Sequence, residues 1–335
     1  MKVVLFHPVL LPALRYGGVE RFVVRLAKGL LERGHEVHVA ALAGSQLPKG
    51  AHLLAMESRS VSCRDLFPLL PNGVDCIHFM APPSAEALEG LPCAAVVSVH
   101  GNGKAGEKFS RNSVFVSKDH ANRHGAQAFV HNGVDPEEFL NPKEWKTRQG
   151  GVFVSKTAWR IKNVLGAIRI CSKAGVSLSV AGGNRPLMAR MKVALEPNME
   201  WLGSISDQEK ASLMARSQFL IFPVLWAEPF GAVLVEALMS GTFVIASRVG
   251  GIPEIIVPEV GVLLPPPDSL SEEEQWVAAL ERKPRFDPEI CRAYAVSKFH
   301  YGLMAEEFEK CYRKVVQGES LNPAVPVAPS TGGLL

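Results

Sequence analysis

Short β-branched runs separated by stretches of helical period recur along almost the whole chain, and no other feature restricts its folding so tightly. Residues 2–7 form the first run, and a proline-containing loop leads from it to Gly17-Gly18. From about 19 to 33, Phe22, Val23, Leu26 and Leu30 share one helical face, Gly34 closes the helix, and 35–41 reads as the next strand. Further runs fall at 74–79, 94–99, 114–117 and 128–131. A polar break spans 132–149, and Gly150-Gly151 opens a second series. In it, strands at 152–155, 176–181, 199–202, 219–222 and 243–246 alternate with helices at 163–174, 187–195 and 206–215, the last with a Ser206/Glu209 capping box. Such alternation requires parallel strands with crossover helices on the sheet faces. The chain is therefore expected to be α/β, with two Rossmann-like domains facing a central cleft: 1–145 and 146–297. A charged amphipathic helix follows at 298–317, and the Pro-, Gly- and Ser-rich tail 318–335 is expected to be disordered.

At 335 residues the chain is long enough for two cores of about 150 residues each. Its 47% apolar and 21% charged residues are ordinary for a soluble enzyme. A net charge of +3, without basic runs interleaved with aromatics, argues against a nucleic-acid surface. The six cysteines fall singly, with no C-x-x-C pair, which fits free thiols in a reducing cytoplasm. No apolar run reaches the roughly 18 residues of a membrane span. The apolar N-terminus is broken by His7, Pro8 and Pro12 and reads better as a buried strand than as a signal peptide. The expected location is cytoplasmic.

The chemistry gathers around 226–241. Glu228 precedes Pro229, a residue suited to a first helical turn, and Gly241 fits a helix C-terminus. Glu228 and Glu236 are therefore expected on one helix, eight residues apart, roughly 12 Å along it and turned roughly 80° from each other. That layout suits a ligand with hydroxyls at both ends and an anion in the middle, over a helix N-terminus. Lys156, Arg160 and Lys162 lie in the turn after 152–155, where cations would stabilise a departing diphosphate. A solvated loop is the plainer reading of those three cations, and the two glutamates in the same domain tip the balance. His100 directly follows 94–99, at the carboxyl edge of a parallel strand, where ligands of such sheets bind. His120 and His124 have metal-like i,i+4 spacing but no evident third ligand, and no Asp-x-Asp is present to hold a divalent cation. The G-x-G-x-x-G, G-x-S-x-G and P-loop motifs are absent, which argues against dinucleotide, hydrolase and NTPase chemistry.

These residues resemble the retaining GT-B glycosyltransferases of family four, the group 1 type. Glu228-Pro-Phe-Gly-Ala-Val-Leu-Val-Glu236 is similar to that family's Glu-x7-Glu signature, and 249–254 to its next turn. Gly17-Gly18-Val-Glu20-Arg21 resembles the first loop, and 131–135 the interdomain segment. The resemblance implies that Glu236 binds ribose and Glu228 the donor sugar, with amides around Phe230, Gly231 and Ala232 on the diphosphate. It implies that Gly17 and Gly18 let the first loop approach the donor on closure, that His100 contacts the donor sugar near the reacting carbon, and that 298–317 crosses back to the first domain. Lys162 matches the family's lysine, whereas Lys156 stands where the family has arginine, and Arg160 is the other candidate for that role.

The implied activity is retaining, metal-independent transfer from a UDP- or GDP-linked sugar to an unidentified glycan, lipid-linked or small-molecule acceptor, without a cofactor. The alternative is a catalytically inactive nucleotide-sugar-binding partner that has kept the fold. Arg21, Arg25 and Lys28 line one side of the first helix, which allows peripheral contact with an anionic inner membrane surface, although a solvated face accounts for them equally well.

Overall fold

The computed structural model describes residues 1–13, 17–58, 66–83, 88, 90–140, 147–183, 198–282 and 285–330. The described chain divides into two compact units: Met1–Val134 together with 299–330, and Asp135–Lys298. In the first unit, β1 (Lys2–Phe6) leads to α1 (Gly18–Glu32), then β2 (Glu36–Leu42), β3 (His52–Met56), β4 (Cys76–Phe79), β5 (Ala94–Val99), β6 (Ser113–Phe115) and α2 (Lys118–Arg123). The six strands form one parallel sheet in the order β3-β2-β1-β4-β5-β6. Val3, Val4 and Leu5 are fully buried, as both faces of a parallel sheet require. The edge strand β3 carries exposed His52 and Leu53, so neither period marks it in the sequence. Residues 128–131 do not form the expected strand. They contribute one isolated bridge, Phe115 to Phe129.

The second unit contains β7 (Gly151–Val154), α3 (Val164–Lys173), β8 (Leu178–Ala181), β9 (Met199–Gly203), α4 (Asp207–Arg216), β10 (Phe219–Phe222) and α5 (Ala232–Met239). It continues with β11 (Phe243–Ser247), β12 (Gly261–Leu264), α6 (Leu270–Glu281) and α7 (Pro288–Phe299). Its parallel sheet runs β12-β11-β10-β7-β8-β9. Counted from each unit's own first strand, both sheets have the same doubly wound order, 3-2-1-4-5-6. The Ser206/Glu209 capping box forms, and a second one, Ser269/Glu272, starts α6. The helix expected at 187–195 lies outside the described residues. The sequence periods leave β12, α6 and α7 unassigned, although α6 supplies the fully buried Trp276, whose Nε1 donates to Pro265 O at 2.8 Å.

After His300 the chain forms α8 (Tyr301–Val316), which packs on α1 in the first unit. Met304, Ala305, Phe308 and Tyr312 share a core with Phe22, Leu26 and Leu30. This packing corrects the reading of a basic stripe. Arg25 is buried, its Nη1 reaches Gly133 O, and the Lys28 ammonium lies 4.7 Å above the Tyr301 ring. Arg25 is thus withdrawn from that stripe, while Lys28 is half-buried beside Tyr301. The expectation of a disordered tail is also corrected for 318–330, since Asn322 and Ala328 are buried. Composition misleads there because the segment is held by backbone hydrogen bonds, not by a run of apolar side chains. No helix among the described residues is long and apolar enough to cross a membrane.

Candidate active site

The second unit gathers most of the expected residues beyond the carboxyl end of β10. Pro229 does not open a helix: α5 begins at Ala232, and Gly231 caps it at φ 93°. A residue before proline is pushed out of the helical region, so Glu228 lies in the preceding loop and only Glu236 is helical. The two carboxylates therefore do not share one helix. Gly241, at φ 70°, does close α5. The turn at 249–254 locks the Glu228 backbone: Gly251 N donates to Glu228 O at 2.8 Å. Gly250 adopts φ 57°, and a Cβ there would stand 2.3 Å from Glu228 O, so only glycine fits.

Lys162 is placed by a single 3-10 turn, Arg160–Lys162, that ends at Asn163 in a left-handed conformation. Asn163 Oδ1 accepts from Gly166 N at 3.1 Å and its Nδ2 donates to Pro223 O at 3.0 Å, tying this turn to the end of β10. Lys162 Nζ then meets Glu228 Oε2 at 2.5 Å, and Trp226 Nε1 donates to the same oxygen at 2.7 Å. The ammonium also lies 4.7 Å from the Trp226 ring and 5.4 Å from that of Phe222. Both partners of the ion pair are buried, so removing either leaves an uncompensated charge. Lys156 lies 4.6 Å above Trp159, whose ring stands edge-on to Trp226 at 6.4 Å. Arg160 is exposed and is not brought into these contacts.

Glu236 is buried and paired with Lys210 of α4 at 2.7 Å, and Lys210 also meets Asp207 at 3.3 Å. Phe230 is buried beneath the loop, and Gly231 leaves the first-turn amides of α5, from Ala232 onward, without a side-chain cap. Sequence reasoning missed Trp226, Trp159 and Lys210. Trp226 stands two residues before Glu228, the spacing that puts side chains on one side of an extended segment. Lys210 directly follows the visible capping box.

The first unit carries different chemistry. His100 follows β5, its ring edge-on to Phe22 at 4.7 Å, and its Nε2 is buried without a hydrogen-bond partner. Burial, reinforced by nearby His7, pushes its pKa down to about 3. His7, at the end of β1, also has a buried unpartnered Nε2, and burial lowers its pKa. His78 on β4 is likewise held at about 3 by burial, its ring nitrogens 2.7 Å from Tyr312 Oη and 2.7 Å from Ser98 Oγ. Gly17 caps α1, where a Cβ would come 2.5 Å from Glu20 Oε2, while a Cβ on Gly18 would meet open space. His120 and His124 face backbone carbonyls: His120 Nε2 lies 3.1 Å from Gly101 O, and His124 Nε2 lies 3.0 Å from Asn102 O.

Two doubly wound sheets with this equipment define the GT-B glycosyltransferase fold. Residues 16–138 match the family model described as Glycosyltransferase Family 4, and residues 150–282 match that of Glycosyl transferases group 1. The chain belongs to this family of glycosyltransferases. It is 28% identical over 145 residues to a phosphatidyl-myo-inositol mannosyltransferase of Mycobacterium leprae, a match covering 43% of this chain and 39% of the relative. The matched stretch thus spans about two fifths of that protein's length. Among solved structures, AviGT4, a glycosyltransferase involved in avilamycin A biosynthesis, superposes with a TM-score of 0.78 at 21% identity, over 95% of this chain and 99% of that one. Anabaena HepE, solved in complex with UDP-glucose, gives a TM-score of 0.64 at 17% identity, over 92% of this chain and 98% of that one.

Proposed function

We propose that the protein transfers a sugar, with retention of anomeric configuration, from a nucleotide diphosphate sugar to a hydroxyl-bearing acceptor. The observation that carries this reading is the buried Lys162–Glu228 pair held by Trp226. The hydrogen bonds from Lys162 and Trp226 both fall on Oε2 of Glu228, which supports a role for the Oε1 side in accepting hydroxyls of the donor sugar. Glu236, oriented by Lys210, takes the ribose hydroxyls. The uncapped N-terminus of α5, at Gly231 and Ala232, takes the diphosphate together with Lys162 and Lys156.

In a transition state with oxocarbenium character, positive charge grows on the sugar and negative charge on the departing diphosphate. Fixed cations and a helix N-terminus stabilise the second charge, so a metal ion has no assigned role. Lys156 fills the family's arginine position as a point charge on a flexible stem, in place of a two-pronged guanidinium. In the first unit, the neutral imidazole of His100 is suited to exchanging hydrogen bonds with hydroxyls without bringing a charge of its own. A UDP-glucose complex of a structural neighbour and the sugar-transferring names of the relatives support a nucleotide-sugar donor.

The test is hydrolysis and transfer assayed across a panel of UDP- and GDP-linked sugars, with Glu228→Gln and Lys162→Met alongside. Turnover of one donor by the wild type that both substitutions abolish is the expected result. Binding of nucleotide sugars with no turnover on any acceptor would instead mark a non-catalytic binding protein.

A further inference from the structure

We infer that residues 319–330 are a strap that positions the His100 turn, with Asn322 and Val327 as its positioning residues. The role of that turn in chemistry rests on the function proposed above; the strap itself rests on contacts within the first unit. Asn322 is buried and all of its amide hydrogen-bonding capacity is used. Its Oδ1 accepts from Gln127 N at 2.8 Å and Ala128 N at 2.9 Å, while Nδ2 donates to Arg111 O at 3.0 Å and Ser113 O at 2.7 Å. Arg111 closes the other side, donating to Asn322 O at 3.3 Å and Pro323 O at 3.0 Å.

Farther along, the strap pairs antiparallel with 106–109 around the bridge Lys108 to Val327. Phe109 N donates to Pro326 O at 2.9 Å, Ala328 N to Glu107 O at 2.8 Å, and Gly106 N to Ala328 O at 3.1 Å. Ala328 is buried in a cluster with Val99, Phe109, Phe115, Ala121 and Ala126.

These contacts reach His100 through α2. Val327 N donates to His124 O at 2.9 Å. His124 and His120 in turn hold the carbonyls of Asn102 and Gly101, the two residues directly after His100, and Arg123 Nη1 donates to Asn102 Oδ1 at 3.0 Å. A Cβ on Gly103 would come 3.2 Å from Ala328 Cβ, so the strap also backs the far end of the turn. The turn contains Gly101 and Gly103 and has no ladder of its own, so its geometry is set by these outside partners.

The test is made in the full chain. Val327→Pro deletes the N–H given to His124 O, Val327→Ala keeps it, and Asn322→Ala removes the second anchor. The His100 imidazole resonance, amide exchange over 101–112, and kcat and KM for donor hydrolysis are measured in each. Val327→Pro is expected to shift the His100 resonance, to speed exchange in that segment about tenfold, and to lower kcat about tenfold at nearly constant donor KM. Val327→Ala should match the wild type, and Asn322→Ala should follow Val327→Pro. An unmoved His100 resonance in both disruptive variants overturns the inference, as does a fall in nucleotide binding as large as the fall in kcat. If the wild type hydrolyses no donor, the proposed function fails, while the resonance and exchange still decide the strap.

Discussion

The two units share one strand order and differ in how the polar groups buried near the carboxyl ends of their strands are neutralised. All ten histidines belong to the first unit, and burial favours the uncharged form of His7, His78 and His100, at or near the carboxyl ends of its strands. In the second unit, buried charges occur as ion pairs, Lys162 with Glu228 and Lys210 with Glu236, at equivalent carboxyl-end turns and helices. On the function proposed above, the same scaffold would be fitted once for hydroxyls and once for a ligand that brings charge of its own. Fold alone does not decide that difference; the side chains placed on it do.

Acid should separate the units most strongly. Burial holds His78 and His100 at about 3 and His120 at about 2, whereas each titrates near 6.5 when unfolded. Between these values the unfolded chain binds more protons, so stability is complete above 6.5 and is lost as pH falls through the window. Each such group costs about 1.4 kcal/mol per pH unit below 6.5. In the second unit, Glu273 is held below its ordinary value against Arg169 and Lys173, and its contribution is lost only below about pH 4.5. Hydrogen exchange followed by peptide at pH 7 and pH 5 should therefore show the first unit opening earlier. Earlier opening of the second would break the contrast.

Lys162→Ala comes next. It strands a buried carboxylate and should cost the second unit roughly 3 kcal/mol in denaturant unfolding, together with roughly a hundredfold of donor turnover. His100→Ala should lower turnover by roughly tenfold to a hundredfold, yet leave nucleoside diphosphate affinity by calorimetry unchanged. A matching loss of affinity would assign diphosphate contact to the first unit as well. The smallest effect is expected from Trp226→Phe, which keeps a ring near Lys162 but removes one hydrogen bond to Glu228. Turnover should fall about fivefold, and an unchanged rate would show that Lys162 alone orients the carboxylate.

Much of this architecture is readable from residue order because buried parallel strands must be short apolar runs. The runs at 94–99 and 219–222 coincide with β5 and β10. What escapes has a physical reason in each case. Strands β3 and β12 are both sheet edges whose side chains are mostly half-buried or exposed. The helix assigned from Pro229 starts three residues later because Gly231, not Glu228, makes the cap. Lys162 is visible from its place after a strand, whereas Lys210 is a surface-type residue whose role appears only when α4 lies beside α5. The strap hides best: one asparagine and a series of backbone bonds leave no compositional trace.

The indole of Trp226, with a lysine ammonium on its face and a second indole at its edge, has an optical consequence. All five tryptophans fall in the stretch of sequence that forms the second unit. Tryptophan emission, excited at wavelengths where tyrosine does not absorb, therefore reports that unit alone. A ligand that draws the Lys162 ammonium toward its phosphates changes the field on the nearest chromophore, so donor occupancy should be readable as a change in colour or brightness without any attached dye.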